Sequence, residues 1–172
     1  MKILLSEIPQ GHSTIDRREP ASVLDIEGWV HPKADVHVVL DADRRGQQVM
    51  MRGQAGLEVE YSCARCLKEF EAELVAPLVI LADRRGSDDP RDEEALEQEG
   101  AVLYHEGVEI DLGPPIRDAL ILEVPQVALC RPDCRGLCPS CGQDRNEGDC
   151  NCAQGGIDPR WEQLRQLNQD KT

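Results

Sequence analysis

Two segments of this chain alternate apolar and polar residues with a period of two. In "GLEVEYSC", Leu57, Val59, Tyr61 and Cys63 alternate with Glu58, Glu60 and Ser62. In "EFEAELVAPLVILA", Phe70, Ala72 and Leu74 alternate with Glu69, Glu71 and Glu73 before the run turns wholly apolar. Successive strand residues point to opposite faces, so each pattern predicts a strand with one face against a core. "CARC" lies between them, which places Cys63 at the end of one strand and Cys66 before the next, in a hairpin-like turn. Further strands are predicted over residues 23–30, 36–41 and 47–52, and strand character returns in "AVLYHEGVEIDL". Several antiparallel strands joined by short turns predict a sheet or a partial barrel.

Helical patterning is confined to two places. "LGPPIRDALILEVP" carries prolines at its start, a stripe of Ile116, Leu120, Ile121 and Val124, and Pro125 as a stop. "GIDPRWEQLRQL" places Asp158 as N-cap and Pro159 at the first helical position, with Trp161, Leu164 and Leu167 on one apolar stripe that packs on the body. The repeated "ADRRG", at residues 42–46 and 82–86, reads as turn chemistry. Residues 83–100 hold eight acids against three Arg and almost no apolar content, which predicts a mobile acidic loop. The fold class expected is α+β: a strand-rich antiparallel sheet or partial barrel, a few helices, and a Cys-rich, zinc-ribbon-like C-terminal tail. The division expected is a body over residues 1–129 and a metal-binding tail with its helix over 130–172.

Size and charge narrow the function. A chain of 172 residues can bury a core without covalent staples, so its eight cysteines are not there to compensate for a small interior. The opening "MKILLSEIPQGH" has too short an apolar run for a secretory signal, and nothing approaches the roughly 18 apolar residues of a membrane span. A cytoplasmic chain follows, with no membrane partner, and in that reducing compartment thiols favour metal over disulfides. The net charge of −14 opposes unaided binding to bare nucleic acid. The tail from 130 to 172 is nearly neutral, with seven acids against six bases, and the basic residues are mostly Arg.

The strongest chemical signal is "CPSCG". Two thiols two residues apart, followed by a glycine, form a knuckle that aims both sulfurs at one ion and leaves backbone N–H groups free to bond them. A tetrahedral shell needs two more sulfurs. The most economical grouping is Cys138, Cys141, Cys150 and Cys152 as one local site, leaving Cys63, Cys66, Cys130 and Cys134 for a second that ties the tail to the sheet. The competing grouping joins the two C-x2-C pairs, Cys63 and Cys66 with Cys138 and Cys141. The sequence leaves both open, with one or two zinc ions as the cofactor.

Catalytic patterns are thin. Cys134, Cys138 and Cys141 have the C-x3-C-x2-C spacing of radical S-adenosylmethionine enzymes, but nothing before them alternates strand and helix and about thirty residues follow. "CARC" has a redox spacing without the strand-to-helix context that lowers a thiol pKa. His12, His31, His37 and His105 are scattered, and no Gly-rich phosphate loop is present. A non-enzymatic role without a small-molecule substrate is expected.

"CARCLKEFE", "DLGPPIRDALILEVP", "LCRPDCRGLCPSCGQDRNEGDCNC" and "IDPRWEQLRQL", in that order, resemble the YceD-like family of large ribosomal RNA subunit accumulation proteins, over about residues 56–167. The resemblance implies a part in maturation or accumulation of large-subunit ribosomal RNA, in bacteria and plastids, and no catalytic activity. It implies that the tail cysteines are a stabiliser in one branch of the family and that "CARC" is nearer the shared element. The expected partner is the ribosomal RNA precursor, met through Arg65, Arg131, Arg135 and Arg145, or a basic ribosomal protein or assembly factor received by the acidic surface. Charge favours the protein.

Overall fold

The computed structural model describes residues 1–84 and 101–152. Its centre is a long hairpin. Strand β4 (Val36–Arg45) turns through Gly46 and Gln47 into β5 (Gln48–Ser62), which turns at "CARC" into β6 (Glu69–Arg84). The expected strands over 47–52 and 57–63 are thus halves of one 15-residue strand. Gly53 makes this continuity possible, because a Cβ there would lie 2.0 Å from the Val39 carbonyl oxygen. Only glycine lets β5 press that closely on its neighbour.

Around the hairpin lie β1 (Lys2–Leu4), β2 (Gly11–Glu19), β3 (His31–Pro32), β7 (Ala101–His105) and β8 (Glu109–Asp111). The main sheet runs β2-β4-β5-β6-β7, β3 extends the line of β4 along β5, and β1 pairs separately with β8. Every pairing is antiparallel except β6 with β7, so the sheet is mixed. No ladder joins β2 to β7, so the described strands form an open sheet.

One face of the sheet supplies the core. Val36, Val38, Leu40 and Ala42 of β4, Val49, Met51, Ala55, Leu57 and Val59 of β5, and Leu74, Ala76, Leu78, Ile80 and Ala82 of β6 are buried at alternating positions. Helix α1 (Gly113–Leu122) packs on β6, burying Pro115, Ile116 and Leu120, while Ile121 and Val124 are partly buried against the same core. His105 is buried with both ring nitrogens bonded, to the Gln47 carbonyl and the Gly107 N–H, which makes it a satisfied core histidine.

Other expectations change as well, and "ADRRG" is strand rather than turn as far as Arg45 in β4 and Arg84 in β6. Residues 23–30 are not a strand: Leu24, Ile26 and Val30 are buried at strand-like spacing, but a 3-10 turn at Ala21–Leu24 and the left-handed Asp25 (φ 52°) break the extended backbone. Strand β2 was not expected, because only Ile15 among its nine residues is buried. Asp83 and Arg84 belong to β6 and not to the acidic loop. The rest of that loop, 85–100, and the expected C-terminal helix lie outside the described residues. α1 is the one α-helix described, and no described helix is long and apolar enough to cross a membrane.

Candidate metal centres

The β5–β6 turn is built to present sulfur. Cys63 donates its N–H to Lys68 O (2.9 Å), Leu67 donates to Cys63 O (2.9 Å), and Leu67 adopts a left-handed φ of 61°. This turn carries Cys63 and Cys66 on one side. The chain leaving α1 arrives opposite, where Ala64 donates to Ala128 O (2.8 Å) and a turn closed by Cys134 N–H to Arg131 O (3.1 Å) carries Cys130 and Cys134. The four sulfurs lie within 4.8 Å of one another. Cys63 and Cys134 sulfurs are 3.8 Å apart, and those of Cys66 and Cys130 are 3.7 Å apart. A tetrahedron with metal–sulfur bonds near 2.3 Å has edges of about 3.8 Å, so the spacing fits a tetrahedral ion and is far from the ~2.05 Å of a disulfide.

The second group is Cys138, Cys141, Cys150 and Cys152, also within 4.8 Å. Its knuckle closes with Gly142 N–H to Cys138 O (2.9 Å) and Cys138 N–H to Gln143 O (2.8 Å), and Leu137 and Asp144 form a bridge at its base. Gly142 sits at φ 75°, a conformation glycine adopts without strain. The geometry therefore does not bring Cys63 and Cys66 together with Cys138 and Cys141. The first group is the deeper: Cys63, Cys66 and Cys134 are buried and Cys130 half-buried, whereas in the second only Cys138 is buried, Cys150 and Cys152 are half-buried and Cys141 is exposed.

Without a cation, four thiols this close cannot all ionise. In the first group, N–H groups of Cys130, Cys66 and Arg65 point at the Cys63 sulfur and hold its thiol at about 6. Burial, with the Cys66 and Cys63 thiols, pushes Cys130 up to about 12. Cys66 is lowered by the Lys68 N–H but ends raised, because burial and the Cys63 thiol outweigh it. In the second group Cys141 and Ser140 N–H groups and the Cys150 thiol hold Cys138 at about 6, while the Cys141 thiol and burial push Cys152 up to about 12. Each group thus has one sulfur prepared as thiolate, while Cys66 and Cys130 in the first and Cys152 in the second hold their protons more tightly than a free thiol and give them up readily to a bound cation.

Side chains that the sequence did not single out join the two groups. Asn146 donates from Nδ2 to the Cys134 sulfur (3.4 Å) and to Asp144 Oδ1 (2.7 Å). Its Oδ1 accepts from Arg131 Nη2 (2.7 Å) and the Arg135 N–H (2.8 Å). Lys68, from the β5–β6 turn, reaches Glu147 (2.6 Å) and Asp144 (3.0 Å) beside the second knuckle. The Asn146 N–H and Lys68 lower the Asp144 carboxyl. Gly136 lies between the groups at φ 69°, and a Cβ there would meet Arg65 O at 2.9 Å. The remaining signal in the sequence was the run "DRNEGDC", too generic in a loop to mark a hub.

The four arginines expected at a partner surface lie in this assembly. Arg65 donates to Cys134 O (2.8 Å), Arg131 bonds Asn146, and Arg135 pairs with Asp149 (2.5 Å). Arg145 ties the second knuckle through its backbone N–H to Gly136 O (2.9 Å), and its side chain has no partner among the described residues.

The family model described as "Large ribosomal RNA subunit accumulation protein YceD" matches residues 51–168, a span that contains the β5–β6 turn and both cysteine groups. An uncharacterized protein of Mycobacterium tuberculosis is 32% identical over 163 residues, which cover 87% of this chain and 76% of that relative. A Zea mays protein named large ribosomal RNA subunit accumulation protein YCED homolog 1, chloroplastic, is 25% identical over 174 residues, covering 81% of this chain and 58% of its own length. Its Arabidopsis thaliana namesake is 34% identical over 61 residues, 36% of this chain and 19% of its own. No solved structure matches.

Proposed function

Since this chain belongs to the YceD family of large ribosomal RNA subunit accumulation proteins, we propose that it is a non-enzymatic factor in large ribosomal subunit biogenesis. The observation that carries this reading is the family match itself, which spans the hairpin end and the tail together. The plant relative's name suggests the process, and this chain's sulfur geometry supports a structural rather than a catalytic use of metal. Both cysteine groups offer four ligands each, and a four-sulfur site is closed, whereas a catalytic metal keeps a position open for water or substrate. Zinc suits an all-thiolate tetrahedral shell, so each group holds one structural zinc, and the two ions order a tail that has little apolar material of its own. The work of the protein is then contact with assembling particles in the cytoplasm. Its charge of −14 favours a basic protein partner over bare RNA.

Depletion of the protein, followed by sedimentation of ribosomal particles and sizing of ribosomal RNA, tests the reading. The expected result is a deficit of mature large subunits and of correctly processed large-subunit RNA, with small subunits in excess. Normal levels of both would remove the ribosomal assignment and leave only a zinc-ordered fold.

A further inference from the structure

Strand β6 is 16 residues long, but β7 pairs with it only from Ile80 to Arg84. Along residues 69–79, no strand among the described residues occupies that side. A groove of about 640 Å³ runs there, walled on the far side by residues 123–132. Its near wall includes Ala72, Glu73, Leu74 and Val75. Consecutive strand residues point to opposite faces, so four in a row line one groove only when it follows the edge of the strand. The free N–H and C=O groups of such an edge are a template for another strand. Pro77, which has no N–H to offer, ends that template.

The groove's charge selects its occupant. On the solvent face of the hairpin, Glu58 lies directly opposite Glu73, and Glu60 opposite Glu71, with Glu69 next along β6. Like charges directly opposed on neighbouring strands are destabilising. Lys33 meets this ladder at Glu60 (2.6 Å), and Glu123 adds another carboxylate on the far wall of the groove. The interior is apolar, with Phe70, Leu74, Val127 and Leu129, and Val127 is 61% exposed. The Tyr61 hydroxyl beside it is buried with no hydrogen-bond partner among the described residues.

We propose that this groove receives an extended basic segment of a partner protein, added to the edge of β6 as a short strand. Alternate side chains of such a segment fall on the two faces: cationic ones meet the glutamate ladder, and apolar ones enter between Phe70 and Val127. This rests on the reading that the partner is a basic protein, and it names where and how that partner is held. The far wall is fixed by the first cysteine group, because Ala64 bonds Ala128 and Cys130 is one of the four sulfurs. Loss of metal from that group therefore removes the groove.

The test is a titration of the full-length, zinc-loaded chain with a labelled ten-residue peptide alternating Lys and Val, followed by fluorescence anisotropy. Saturable binding that weakens with salt is expected. Peptides N-methylated at alternate residues, in the two possible registers, separate strand addition from adsorption: one register should lose at least about tenfold in affinity, the equivalent of one or two lost hydrogen bonds. The double variant Glu71→Lys with Glu73→Lys should lose binding while keeping its metal content and a melting temperature no lower than the parent's, since it replaces two repulsive cross-strand pairs with attractive ones. Equal affinity for both N-methylated peptides, or for the double variant, would overturn the proposal, as would cross-links placing residues 153–172 in the groove that the peptide does not displace. Displacement of the peptide by a 20-nucleotide single-stranded RNA would overturn it in favour of RNA. A chain that binds no peptide yet shows the large-subunit deficit on depletion refutes the docking surface and leaves the proposed function intact.

Discussion

Asn146 is where hydrogen bonds from both cysteine groups converge. Its amide donates to a sulfur of the first cysteine group and to Asp144 at the base of the second, while its carbonyl oxygen accepts from Arg131 and from the Arg135 backbone. A donor to a thiolate stabilises the charged form that the metal needs, and removing such an outer contact typically costs 10- to 100-fold in metal affinity. Asn146→Ala should therefore release zinc to an excess of chelator on the order of tenfold faster or more than the parent, with the first group the more affected because only Cys134 is bonded directly. Stopped-flow release measured with a chromogenic chelator reads this, and unchanged rates would show that Asn146 merely fills space. Asn146→Asp keeps the acceptor and loses the donor, so it should resemble the alanine variant in release rate while retaining the Arg131 contact.

Between elements, the joint that matters is where the β5–β6 turn meets the tail. Leu137 N–H bonds Arg65 O (3.1 Å), Arg65 reaches Cys134 O, and Gly136 passes with no room for a side chain. Gly136→Ala combines a left-handed φ with a 2.9 Å overlap on backbone, so a loss of roughly 1 to 3 kcal/mol is expected. The signature should be a lower melting temperature and weaker zinc at the first group, with the second group's zinc retained in native mass spectrometry; equal loss from both would mean the joint is not where the turn is held. How far such elements could be read in advance depended on burial. β5 and β6 each bury one face, and over residues 57–63 and 69–74 that alternation was plain in the sequence. β2 is an edge strand with Ile15 alone buried, and an element that buries almost nothing leaves no periodic trace. Residues 23–30 are rich in apolar side chains but fold as tight turns, and no pattern distinguishes that from a short strand. At the centres, spacing brought out the cysteines and favoured the local grouping of Cys138, Cys141, Cys150 and Cys152, yet the choice against pairing the two C-x2-C motifs depends on which loops the sheet sets beside the β5–β6 turn, a long-range fact that no local motif contains. Lys68 and Asn146 escaped notice for the same reason.

At the scale of the whole molecule the two centres differ in depth, and depth sets the order in which they are lost. Cys63 and Cys134 are 0% and 2% exposed, while Cys141 lies open to solvent. Chelation should strip the outer group first, passing through a one-zinc species, before the inner group opens. Acid acts through the thiols. Cys63 and Cys138 are depressed to about 6 in the folded chain, so their contribution is present at alkaline pH, above the unfolded thiol value, and is lost as pH falls through about 6. Cys130, pushed up to about 12, and Cys66, also raised, keep their protons at pH 7 until an ion displaces them. Zinc uptake by the inner group at pH 7 should consequently release at least two protons, and affinity should fall steeply on acidification. Titration of the stripped protein with zinc in weak buffer measures both, and native mass spectra taken along a pH series give the order of loss. Simultaneous departure of the two ions, or binding without proton release, would contradict this account. The consequence reaches the β6 groove: because its far wall is pinned by the inner group, peptide binding should survive loss of the outer zinc and disappear with the inner one.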